Sequence, residues 1–125
     1  MKKVIYTEQA PKPVGPYSQA VQLGSLLFCS GQISIDPKTD QIFTGDIKIQ
    51  TEMVMKNIEA VLKAADLNFD HVIKTTIYLT NMADFPLVNE VYAKSFKNQP
   101  PARSTVAVAG LPKGVNVEIE VLAHR

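Results

Sequence analysis

The sequence predicts an α+β domain: a mixed β-sheet carrying two helices on one face. Three observations lead there. Apolar residues follow a strand period, then a helical period, then alternate again, giving three strands, a helix, a strand, a helix and two strands. Each strand–helix–strand passage should be a right-handed crossover joining parallel strands, which places both helices on one side. No further helix is left for the other side, so its alternating apolar residues predict cover by another copy of the chain.

The elements are justified in order. Residues 4–7, Val-Ile-Tyr-Thr, are an edge-strand candidate, and Pro11, Pro13 and Pro16 then hold residues 10–17 in a stiff non-helical loop. Residues 20–23 and 26–29 flank Gly24-Ser25, a two-residue hairpin signal with glycine first, and the second strand closes at Ser30-Gly31-Gln32. Residues 37–45 read as loop. From Asp46, a plausible cap, Val54, Ile58, Val61, Leu62 and Ala65 make one helical stripe, with Glu52, Lys56, Asn57, Glu59 and Lys63 elsewhere on the wheel. Residues 71–80 alternate as a strand whose apolar face is read as Ile73, Ile77 and Leu79. Asp84 is the expected cap of a second helix, with Pro86 in its first turn and Phe85, Val88, Tyr92 and Phe96 as its buried stripe. Pro100-Pro101 stops it, and the strand-like runs 105–109 and 115–121 follow.

A chain of 125 residues is expected to form a single domain over 1–125. Thirteen Lys and Arg against twelve Asp and Glu give a net charge of +1, which argues against a nucleic-acid binder. No apolar run approaches a membrane span, and the short Met1-Lys2-Lys3-Val4-Ile5 start is too brief for the apolar part of a secretory segment. Cys29 is the only cysteine, so no internal disulfide forms and a reducing cytoplasm is the expected compartment. His71 and His124 make no metal-ligand spacing with it, and no metal is expected.

Two residue types carry the functional reading. Arg103 stands at the mouth of a strand, where a guanidinium offers a planar fork for a carboxylate. Glu118, in the middle of the last strand, can orient a water or move a proton. An Arg–Glu ion pair tying two strands together is the structural alternative. Ser30-Gly31 closes an apolar strand where a ligand could approach backbone N–H groups, or is simply a turn. Tyr17 places a hydroxyl on the stiff loop, and Asn89 lies beside the second helix stripe, where its amide could serve a ligand or a strand backbone. Cys29 reads as a small core hydrophobe.

Five strings resemble the reactive intermediate deaminase, or Rid/YjgF, family: Ala10-Pro11 with Gly15-Pro16-Tyr17-Ser18-Gln19, Ser30-Gly31-Gln32-Ile33, Asn89-Glu90-Val91-Tyr92, Pro101-Ala102-Arg103-Ser104, and Val117-Glu118-Ile119-Glu120. The resemblance covers nearly the whole chain. It implies a fold like that of the Bacillus-type chorismate mutases, assembled as a homotrimer with sites between subunits. It also implies that the last strand is inserted between the third and fourth, where short-range reasoning favours a hairpin with the fifth.

The activity implied is hydrolysis of 2-imino and 2-enamino acids, such as 2-aminoacrylate and 2-iminobutanoate, to 2-keto acids and ammonia without a cofactor. Arg103 would bind the substrate carboxylate and Glu118 would position water. Tyr17, Ser30, Gly31, Asn89 and the backbone of Thr105 would line the site. Many members carry cysteine where this chain has Thr105, which puts thiol-based control in doubt. Two other readings stay open: a non-catalytic trimeric binder of small carboxylates with a regulatory role, and RNA cleavage or translation inhibition.

Overall fold

The computed structural model describes all residues, Met1–Arg125. Eight elements follow in chain order: β1 (Lys3–Ile5), β2 (Ala20–Leu23), β3 (Leu26–Cys29), α1 (Ile47–Ala64), β4 (Val72–Leu79), α2 (Phe85–Tyr92), β5 (Ala102–Ala107) and β6 (Val117–His124). The six strands form one sheet in the order β1-β2-β3-β6-β4-β5. β6 runs antiparallel to both β3 and β4, while β4 and β5 are parallel. The inserted last strand is therefore observed, and the β5–β6 hairpin of short-range reasoning is not. Both helices pack on one face, as expected.

The core forms because β6 alternates cleanly. Val117, Ile119, Val121 and Ala123 are buried beneath the helices, and Glu118, Glu120 and Leu122 take the other face. From α1, Val54, Ile58, Val61, Leu62 and Ala65 enter this core, the stripe expected. Asp46 caps α1, its side chain accepting from the amides of Lys48 at 2.8 Å and Ile49 at 3.1 Å. Gly24 has φ +59° while Ser25 does not enter the left-handed region, as a glycine-first hairpin requires.

Two local expectations are corrected, at Ile73 and Asp84, and Asn57 takes an interior place. Ile73 is exposed, because pairing with β6 shifts register between Val72 and Lys74; this bulge turns Val72 inward in its place. The inward face of β4 is completed by Thr75, whose hydroxyl lies 2.8 Å from that of Tyr92. Asp84 makes no side-chain cap; Asn81 accepts from the amide of Ala83 and starts a short 3₁₀ turn that leads into α2. Asn57 lies off the apolar stripe of α1. It is buried and donates to the carbonyls of Ile33 at 3.2 Å and Ile35 at 2.9 Å.

The second sheet face has no covering element. Cross-strand pairing aligns Val4, Val21, Phe28 and Leu122 in one apolar row, with Val4 56% and Phe28 47% exposed. Beside it lies a polar patch of Thr76, Tyr78, Ser104, Glu118 and Glu120.

Ile119 sits at the centre of the core with no exposed surface. Ile119→Ala is expected to cost about 2–5 kcal/mol, measured by urea unfolding at a fixed protein concentration.

Candidate active site

A cavity of about 440 Å³ opens where the proline loop, the end of β3 and β6 meet. Tyr17, Ser30, Gly31 and Glu118 all line it. Four of the residues expected from the sequence are thus brought together in one place.

The proline loop is held there by Gln19, a residue whose part was not legible in the sequence. Its buried side-chain amide accepts from the Thr7 amide at 2.7 Å and donates to the carbonyls of Thr7 and Pro11, each at 2.9 Å. Ser30 locks the other side of the loop, its hydroxyl donating to the Ser18 carbonyl at 2.5 Å and its amide to the Gln19 carbonyl at 2.9 Å. Its hydroxyl is engaged with the backbone, so Ser30 builds the cavity wall. Gln32 then exchanges both backbone hydrogen bonds with Ile119, at 2.9 and 3.2 Å, fixing Gly31 against β6.

Gly31 is required by proximity. A Cβ there would overlap the Glu118 carboxylate, lying only 2.8 Å from Cδ. The carboxylate thereby sits directly on the backbone at Gly31. Burial, and secondly the charge of Glu120, raise the Glu118 pKa above the ordinary carboxylate value. Lys12 and Lys113 also line the cavity. Lys113 holds the left-handed conformation at φ 61°, immediately before Gly114 at φ 74°.

Arg103, Asn89 and Thr105 form a second cluster. Arg103 pairs with Thr75 in the β4–β5 register and so points to the helix-covered side, whereas Glu118 pairs with Tyr78 on the bare side. Thr105, opposite Ile77, shares the face of Arg103. The Arg103 guanidinium donates to the Asn89 side-chain oxygen at 2.7 Å and lies over the rings of Phe85 and Tyr92, at 5.0 and 5.1 Å from their centres. Both rings were read from the sequence only as core stripe. The guanidinium is exposed, and a planar cation held by two rings and one amide keeps further N–H groups for a carboxylate.

The Arg–Glu ion pair that residue types allowed is not present. β5 pairs only with β4, and the single salt bridge of the chain is Lys48–Glu90 at 3.1 Å. Cys29 is buried and its thiol is pushed up to about 12, so it is no nucleophile.

Comparison with known proteins points to one family whose members carry different functional names. Residues 7–125 match the family described as Endoribonuclease L-PSP. A RutC family protein of Pyrococcus horikoshii is 55% identical over 100% of this chain and 99% of its own. The mouse protein named 2-iminobutanoate/2-iminopropanoate deaminase is 44% identical over 98% of this chain and 91% of its own. The crystal structure of E. coli TdcF with bound serine superposes with a TM-score of 0.93 at 42% identity, covering 98% of each chain.

A carboxyl with a raised folded pKa binds more protons in the native than in the unfolded state at intermediate pH. Its ionisation therefore costs stability as pH rises from the unfolded value through the folded one. Glu118→Gln is expected to raise the urea midpoint at pH 7–8, with the gain vanishing at pH values where both states of Glu118 are protonated. An unchanged or lowered midpoint at pH 8 would contradict this placement.

Proposed function

This chain belongs to the Endoribonuclease L-PSP, or Rid/YjgF, family, and on that premise we propose that it is a hydrolytic deaminase of 2-imino and 2-enamino acids, with 2-aminoacrylate and 2-iminobutanoate as substrates. The observation that carries this reading is Glu118: a half-buried carboxylate of raised basicity, seated on glycine backbone in a cavity of small-molecule size. The name of the mouse relative and the serine bound by E. coli TdcF support a small amino-acid-like ligand.

The two clusters face different ways within one chain, so the proposed site is shared. A neighbouring copy supplies Arg103, with Asn89 and the backbone of Thr105, opposite the Tyr17, Ser30, Gly31 and Glu118 cavity. The uncovered sheet face, with its Val4, Val21, Phe28 and Leu122 row, supplies apolar surface for the assembly, which we take to be a homotrimer.

In this arrangement Arg103 grips the substrate carboxylate, and Asn89, Phe85 and Tyr92 keep the fork flat. Glu118 takes a proton from water as the water oxygen bonds to C2 of the protonated imine. The same proton then passes to the amine nitrogen; as the C–N bond breaks, Glu118 takes the remaining proton of the added hydroxyl, the 2-keto acid forms, and the departing ammonia carries that proton away as ammonium. An enamine enters the sequence once a proton is added at C3. The iminium carbon is already electrophilic, so proximity and placed charge suffice.

The test is a coupled assay in which a dehydratase generates the imine from threonine or serine and keto-acid release is followed. Arg103→Ala is expected to lower kcat/KM about 30-fold to several-thousand-fold, and Arg103→Lys to fail similarly. Glu118→Gln should lose turnover while retaining carboxylate binding. No acceleration by the wild type would leave the non-catalytic binder.

The shared site makes a second prediction. Mixing Arg103→Ala with Glu118→Gln chains under exchange conditions should restore activity, because some mixed sites regain both native residues. No recovery, with exchange verified by mass spectrometry, would place the whole site in one chain.

A further inference from the structure

On the bare sheet face, Glu118 is not alone. Tyr78 of β4 lies directly across from it, and Glu120 follows two residues along β6 on the same face. The Tyr78 hydroxyl donates to Glu120 Oε1 in a short hydrogen bond, which ties the second carboxylate down beside the first. Two like charges on one strand face are ordinarily avoided, and a long side chain would swing one of them away. Here a tyrosine prevents that.

We propose that Tyr78 and Glu120 are positioning residues for Glu118: Tyr78 anchors the Glu120 carboxylate, and the anchored negative charge is held on the same strand face beside the carboxylate that works on the water. The proposal rests on reading Glu118 as the carboxylate that activates water. Glu120 lines a separate depression with Phe28, Lys74 and Thr76, apart from the Glu118 cavity.

The other groups around Glu118 are accounted for. The proline loop brings Lys12 and Tyr17, and the turn before β6 brings Lys113. Neither lysine forms a salt bridge with Glu118. Burial first and Glu120 second raise the Glu118 pKa above the ordinary carboxylate value. Lys74 from β4 is turned to Ser104, donating to its hydroxyl at 3.3 Å. An Arg103 arriving from a neighbouring copy favours the charged form in every variant alike.

The experiment has two arms on the full chain. Carboxyl ¹³C NMR follows Glu118 titration in wild type, Glu120→Gln, Glu120→Asp and Tyr78→Phe, independently of catalysis. The pH profile of imine hydrolysis is recorded for the same proteins. In Glu120→Gln the Glu118 midpoint should fall. The ratio of kcat/KM at pH 5 to that at pH 8 should rise about two- to threefold, with the plateau a few-fold lower and KM unchanged. Tyr78→Phe should move both readouts the same way by less, and Glu120→Asp should retain most of the wild-type behaviour because it keeps the charge.

A Glu118 midpoint that is the same in all four proteins would overturn the proposal, whatever the activity. A shifted midpoint in a chain that hydrolyses no imine would sustain the electrostatic pairing and remove the deaminase reading.

Discussion

The insertion of β6 between β3 and β4 is the constraint on which the remaining geometry depends. One face of this strand must supply Val117, Ile119, Val121 and Ala123 to the core. Strand alternation then leaves no choice for Glu118 and Glu120: they emerge together on the uncovered face. Pairing with Gln32 brings the Ser30-Gly31 bend against the same strand, so one set of backbone hydrogen bonds both completes the core and seats the carboxylate.

The polar interior is what holds the irregular segments to this frame. Gln50 donates to the Gly45 carbonyl and to Asn116 Oδ1, each at 2.9 Å, and accepts from the Asn116 amide at 2.9 Å. Asn57 secures the segment after Gly31, and Gln19 the proline loop. Each is a long amide on a helix or loop that replaces the ladder bonds these segments lack. No buried side-chain polar atom is left without a partner. Removing any of these amides would free a stretch of chain as well as orphan a donor.

Much of this was legible in the sequence wherever a period was at work. The stripe of α1, the alternation of β6 and the glycine-first turn at Gly24 follow from residue spacing alone. The bulge at Ile73 did not, because a one-residue slip in β4 becomes visible only against its partner strand. The cap at Asn81 was hidden by a better-looking Asp84 three residues on. Among site residues, Tyr17, Ser30, Gly31 and Glu118 could be named by type, as could Arg103 and Asn89. Their division between two faces could not, since it depends on strand order, and local spacing carries no record of a strand inserted from the far end of the chain. Gln19 and the Phe85–Tyr92 platform escaped for a related reason: a glutamine in a loop and aromatics in a helical stripe are ordinary until their neighbours are known.

The state of Cys29 has a consequence for how the protein meets oxidising conditions. The sole sulfhydryl is sealed in the core with its pKa pushed up to about 12, and position 105 carries a hydroxyl. Peroxide and disulfide exchange both act on the thiolate, so burial that keeps this thiol protonated slows its reaction with either.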